Sequence, residues 1–356
     1  MIDGIFTDNA ILLERNGKII DVMRATDFPS EGNRIDLGGN YVAPALIDLQ
    51  IYGGNGKMFS EDLSIDSIAS TYEYSRAGGA SQFMITIATN SMEVLNEGID
   101  KVREYQQAGR KGLLGLHLEG PYLNPLKKGA HIEQFIKKPI KAEVQALLKK
   151  GEGVIRMMTI APEQCDAEII AMLNEAGILV SAGHSNATYE QAREAFKTGI
   201  PVCTHLFNAM SGFQHRAPGL VGAIYDDPMV KSSIVADGIH VDFAAIRISY
   251  GIMKERLFFI TDAVAAVEDG DYPHVFKGDR YTLPDGTLSG SALTMMKCVM
   301  NGVKYCGIPL ERALEMASAI PASLTDKRDS LGQIRQGFDC ELVVFDDEFN
   351  VQQVIC

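Results

Sequence analysis

Apolar residues fall into eight short runs along this chain, separated by stretches with a different period. The runs are ALIDLQI from position 45, SQFMITIA from 81, LLGLHLE from 113, VIRMMTIA from 154, ILVSAGH from 178, IPVCTH from 200, VKSSIVAD from 230 and LFFITDA from 257. Each has the length of a strand buried on both faces and is too short for a typical helix. Most gaps carry apolar residues at helical spacing. MEVLNEGIDKVREYQQAG (92–109) and ATYEQAREAFKTG (187–199) both close on a glycine, which suits a helix C-terminus. The gap between the sixth and seventh runs is rich in Gly and Pro and reads mostly as loop. Strands alternating with helices in this way predict an α/β fold, a parallel (β/α)₈ barrel of the TIM type. An open, doubly wound sheet is the alternative, although no G-x-G-x-x-G follows an early strand.

The two ends of the chain have another texture. AILLERNGKIIDV places Asn16-Gly17 between apolar runs, a two-residue hairpin signal. GQIRQGFDCELVVFDDEFNVQQVIC alternates short Val, Ile and Phe runs with Gly and Asp turns. Together they predict one small β-sandwich domain built from residues 1–44 and 330–356, beside a barrel domain over 45–329. VFKGDRYTLPDGTLS (275–289) predicts a hairpin turned at Pro284-Asp285-Gly286, inserted after the last barrel strand. Helices near 291–306 and 309–319 would then close the barrel.

Composition narrows the possible functions. The 356 residues are 46% hydrophobic and 22% charged, the balance of a globular protein. A net charge of −13 argues against nucleic acid as a partner, so any anionic ligand needs a local cluster of positive groups. No apolar run reaches the roughly 18 residues of a membrane span, and no membrane partner is expected. MIDGIFTDNA lacks the basic start and apolar core of a signal peptide. Six scattered cysteines without a C-x-x-C pair read as reduced thiols, and a cytoplasmic location follows as the expectation.

In a barrel of this kind the reactive groups sit where strands end, because side chains from several strands converge only there. The strand ends of this chain are unusually polar. The third run ends in Glu119, the fifth in His184, the sixth in His205, and the eighth carries Asp262. Taken singly, each has an ordinary structural explanation: a salt bridge for Glu119, a satisfied turn or buried position for a histidine. Four such residues at four strand ends are hard to explain by packing. One carboxylate and two imidazoles suit a borderline divalent ion such as Zn²⁺, with a coordination position left open for water. Asp262 could then take a proton from that water.

Six stretches, HLEGPYLNPLKKGAH, SAGHSNAT, THLFNAM, ADGIHVD, ITDA and GTLSGSALTM, occur in order between residues 40 and 296. Together they resemble the N-acetylglucosamine-6-phosphate deacetylase family of the amidohydrolase superfamily. The resemblance implies Glu119, His184 and His205 as ligands of one divalent ion per chain, zinc first, with iron, cobalt or manganese as alternatives. It implies Asp262 as general base and acid. It also implies substrate contacts from His131, Asn208, Ala209, Arg216 and His240. The expected reaction is hydrolysis of the N-acetyl group of N-acetylglucosamine 6-phosphate to glucosamine 6-phosphate and acetate, in amino sugar catabolism. A homodimer is the expected assembly.

The chain departs from the common amidohydrolase pattern on its first strand. Where many members have His-x-His and bind two metals, it reads Gln50-Ile51-Tyr52. That favours a single-metal site. Another amidohydrolase reaction, on a different N-acyl sugar or a cyclic amide, remains an alternative, because fold alone does not fix chemistry. A sugar-phosphate binding protein without activity is the other.

Overall fold

A computed structural model describes residues 1, 4–6, 10–24, 35–268 and 270–356. Eight parallel strands form its central sheet: Leu46–Ile51, Ala80–Ala88, Leu113–Glu119, Ile155–Ile160, Leu179–Ala182, Val202–Cys203, Lys231–Val235 and Leu257–Ile260. Each pairs with its neighbour in chain order. The sheet closes where the ends of the first and eighth strands meet. Asp262 N–H donates to the Gln50 carbonyl (3.0 Å), and Tyr52 N–H donates to that of Ala263 (2.9 Å). One turn below, the buried Asp48 carboxyl bridges the same seam, meeting Thr261 Oγ1 at 2.5 Å and both Thr261 N–H and Gln50 N–H at 3.2 Å. The barrel predicted from the spacing of the apolar runs is present, with all eight strands where those runs fall.

The outer helices bury one face against the strands. Helix Met92–Gln107 buries Leu95, Ile99, Val102 and Tyr105, residues three or four apart, and Ser91 caps its start. Helix Tyr189–Lys197 begins with a reciprocal capping box between Thr188 and Gln191. Between the sixth and seventh strands, residues expected to be mostly loop include a helix, Gly219–Asp226. Its first six residues are all buried, so it has no polar face and leaves no amphipathic period in the sequence. The insertion after the eighth strand is a three-stranded meander (Val275–Phe276, Arg280–Thr282, Leu288–Ser291) rather than a single hairpin. Its second turn does lie at Pro284-Asp285-Gly286, with Gly286 N–H on the Leu283 carbonyl.

Both chain ends contribute antiparallel strands. Ala10–Arg15 pairs with Lys18–Arg24 through Asn16-Gly17, both at positive φ, as a tight right-twisted hairpin requires. Tyr41–Pro44, Leu342–Phe345 and Val351–Ile355 form a second sheet. Ile19, Ile334, Phe338, Cys340 and Leu342 make a small apolar cluster between these segments. Among the described residues no helix is long and apolar enough to cross a membrane.

Candidate active site

Glu119 is the last residue of the third strand, while His184, His205 and Asp262 each lie two residues past the end of their own. These last three have φ of +47°, +39° and +54°. Left-handed backbone at a residue with a side chain costs on the order of 1–3 kcal/mol and persists only where its surroundings enforce it. Here, hydrogen bonds do so. Ser233 Oγ accepts the His205 N–H (2.7 Å), and the barrel seam holds Asp262. Phe207 and Ala209 at the same mouth are also left-handed. The strands thus break sharply at the points that turn these side chains inward.

The side chains converge closely. Glu119 Oε1 lies 3.0 Å from His205 Nε2 and 3.4 Å from His184 Nε2, and the two imidazole nitrogens are 3.0 Å apart. His131 Nε2 approaches Glu119 Oε2 at 3.1 Å. Glu119, His131 and His184 thus form one geometric cluster able to hold a cation, and His205 adjoins it. Hydrogen-bond direction separates the histidines. His184 Nδ1 faces the Lys127 carbonyl at 2.8 Å, so it carries the proton and leaves a lone pair on Nε2. His131 Nδ1 instead accepts the Thr89 N–H at 3.2 Å, so its proton sits on Nε2 and points at Glu119. A neutral His131 is therefore a donor to the cluster, whereas His184 has the tautomer of a ligand. Two imidazoles and a carboxylate oxygen facing one another at 3.0–3.4 Å are a donor set suited to a divalent ion.

The electrostatics follow from burial and crowding. Burial opposes ionisation of Glu119, but His184, His131 and His205 outweigh it and hold the carboxyl well below its usual range. Burial, with His184 beside it, depresses His131 to about 4. For His205 burial is outweighed by the bond and charge of Glu119, and its affinity for a proton rises. Asp262 is raised chiefly by burial, with Glu119 adding to it and His205 opposing. A carboxyl displaced upward is better placed to accept a proton and later return it.

These groups line a cavity of about 170 Å³ that also takes in Asn208, Ala209 and His240. His240 Nδ1 is fixed by Asp237 Oδ2 at 2.5 Å, and Asp237 is itself held by the N–H groups of Ile239 and His240. Arg216 is exposed on the loop before helix Gly219–Asp226 and does not line the cavity. The structure therefore brings together eight of the nine candidate residues and leaves Arg216 apart.

Other residues at the site carry weaker sequence signals. Gln50 Nε2 contacts Tyr52 Oη (2.9 Å), Glu119 Oε1 (3.1 Å) and Asp262 Oδ1 (2.9 Å), and the Tyr52 hydroxyl donates to Glu119 Oε2. The missing His-x-His marked this position, but not what fills it. Tyr272 Oη bonds the Thr89 carbonyl at 2.5 Å and accepts from Ile132 N–H. His274 lines the cavity with Nδ1 on Ser289 Oγ at 2.9 Å. Both come from the stretch between the eighth strand and the insertion, where no period or spacing flagged them.

The model of the Amidohydrolase family matches residues 41–356. The chain is 35% identical to N-acetylglucosamine-6-phosphate deacetylase of Haemophilus influenzae, over 98% of this chain and 93% of that one. It is 35% identical to the Homo sapiens protein of the same name, over 95% and 88%. The crystal structure of N-acetylglucosamine-6-phosphate deacetylase from Pasteurella multocida superposes with a TM-score of 0.93 at 35% identity, covering 98% of this chain and 94% of that one.

Proposed function

The chain belongs to the amidohydrolase family, and from that premise we propose that it deacetylates N-acetylglucosamine 6-phosphate, with Glu119, His184 and His205 holding one divalent ion. The products are glucosamine 6-phosphate and acetate, and the place in metabolism is amino sugar catabolism. The observation that carries the reading is the approach of Glu119 Oε1, His184 Nε2 and His205 Nε2 to within 3.4 Å of one another, beside a buried Asp262. Zinc suits two imidazoles and one carboxylate best, and iron, cobalt and manganese are the alternatives. When bound, such an ion supplies Lewis acidity, which lowers the pKa of water from 15.7 towards about 7 and stabilises charge on a carbonyl oxygen.

The remaining chemistry falls to side chains of this chain. Asp262 accepts the proton of the water that attacks the acetyl carbon. As the C–N bond breaks, it returns that proton to the departing nitrogen, so amide and water become amine and acetate. Gln50 Nε2, 2.9 Å from Asp262 Oδ1, directs the other carboxyl oxygen towards the cavity. His131 directs Nε2–H at Glu119 and offers the substrate its ring edge at the cavity wall. Asn208, Ala209 and His240 form the side that meets the sugar phosphate. The Asp262→Asn variant tests the central step. It should keep its ion and fold, yet lose about 10²–10⁴-fold in turnover. Wild-type turnover at saturating substrate would remove Asp262 from the mechanism.

The exposed Arg216 fits a homodimer in which it completes the phosphate site of the partner subunit. Two subunits lending positive groups to one pocket would let an acidic chain hold an anion. Mixing Asp262→Asn with Arg216→Ala subunits tests this, because one site of the mixed dimer then has both groups intact. Activity should reappear; none after confirmed subunit exchange would place the contact within one chain.

A further inference from the structure

We propose that Tyr52 is a positioning residue that confines Glu119 to a one-oxygen grip on the ion. The inference rests on the reading of Glu119, His184 and His205 as ligands. It starts from the two oxygens of one carboxylate, which have different neighbours. Oε1 faces His184 Nε2, His205 Nε2 and the Gln50 amide. Oε2 faces the Tyr52 hydroxyl and His131 Nε2.

Both contacts to Oε2 are donors, and the network leaves no other arrangement. The Gln50 nitrogen lies against carboxylate oxygens of Glu119 and Asp262, so it is the amide end that carries protons. A carboxylate oxygen carries no proton to give, so the Tyr52 hydroxyl is the donor at Glu119 Oε2. Thr89 N–H occupies His131 Nδ1 and sends that ring's proton to Oε2 as well. A carboxylate oxygen has two lone pairs, and both on Oε2 are therefore taken. Only Oε1 is presented to the imidazoles.

Tyr52 is held so that it cannot swing away. Its N–H is on the Ala263 carbonyl (2.9 Å), its carbonyl accepts Phe59 N–H (3.0 Å), and its ring packs with Met58, Val264 and Tyr272. A tyrosine present only for packing would need none of the polar arrangement at its tip. Removing a donor that orients a metal-binding carboxylate typically changes metal affinity about 10–100-fold.

The test compares wild type with Tyr52→Phe, which removes one oxygen and keeps the ring. Both proteins are stripped of metal, checked for an unchanged thermal unfolding profile, and titrated with Co²⁺ alone. The variant frees one lone pair of Oε2, so the carboxylate can turn and offer both oxygens. The visible absorption of Co²⁺ weakens as its coordination number rises, so a weaker band in the variant is expected. Affinity should fall about 10–100-fold with it. An unaltered band overturns the proposal, whatever happens to affinity. If the variant fails to fold, a crystal structure of the Co²⁺-loaded wild type decides: one Glu119 oxygen on the ion supports the proposal, and two overturn it. Wild type that binds no Co²⁺ would refute the ligand set itself. Bound Co²⁺ with an unaltered variant band would refute only the role of Tyr52, leaving the deacetylase reading to its own assay.

Discussion

Replacing Asp48 by Asn should stabilise the protein, and the gain should grow with pH. Asp48 is buried under the seam that carries Gln50 and Asp262, and among the described residues it has no cationic hydrogen-bond partner. Burial lifts its carboxyl from an ordinary 3.8 to about 7, against the lowering effect of bonds from Thr261 and Gln50. The fold therefore prefers the neutral acid. A group raised in this way gives its full stabilisation below the unfolded pKa and loses it as pH climbs through the folded value, here between about 4 and 7. Linkage puts the loss at about 2 kcal/mol by pH 5 and about 4 kcal/mol by pH 8, at 1.36 kcal/mol per pH unit of displacement. Asn reproduces the neutral acid's bonds. Its Oδ1 can accept from Thr261 N–H and Gln50 N–H, and its Nδ2 can donate to Thr261 Oγ1, where Asp48 Oδ2 now lies at 2.5 Å. The assay is equilibrium unfolding of both proteins in denaturant at pH 5 and pH 8, read as midpoints at matched slope. The midpoint of Asp48→Asn should exceed that of wild type by more at pH 8 than at pH 5. An Asn protein less stable than wild type at pH 8 would show that the seam is held by a charged carboxylate, refuting the reasoning.

Further predictions concern the proposed site. N-acetylglucosamine without its phosphate should be a poor substrate: losing the Arg216 contact alone removes a charge-assisted bond of roughly 1.5–3 kcal/mol, on the order of 10- to 150-fold in kcat/KM. Equal efficiencies for the two sugars would mean that the phosphate side has been misassigned. Elemental analysis of wild type should find about one divalent ion per chain, and His184→Ala should lose it, since two remaining protein ligands are too few. A stoichiometric ion retained by His184→Ala would exclude that residue from the ligand set.

The barrel was legible because both periods survive in the sequence: short apolar runs for the strands and three-to-four spacing for helices such as Met92–Gln107. The polar strand ends were legible for the same reason, since Glu119, His184, His205 and Asp262 each interrupt an apolar run at a predictable place. What stayed hidden had no periodic signature. Helix Gly219–Asp226 is buried almost all round, so no polar face marks it. Gln50 lies in a first strand whose six residues are all buried, and the buried Tyr52 follows directly after it; there a side chain's partners depend on the closure of the barrel and not on its neighbours in sequence. Tyr272 and His274 reach the cavity from the stretch just before the insertion, whose path the sequence did not reveal. Arg216 could be assigned a role from its motif, but its exposed position comes only from the fold.

The central claim is that this chain is a metal-dependent deacetylase, and the most direct measurement is acetate release from N-acetylglucosamine 6-phosphate before and after chelation. The untreated protein should release equimolar acetate and glucosamine 6-phosphate. The rate should be lost as the ion is removed and should return on adding back about one equivalent of Zn²⁺ per chain. An unchanged rate in protein verified to be metal-free, or no acetate at all from the fully loaded protein, would contradict it.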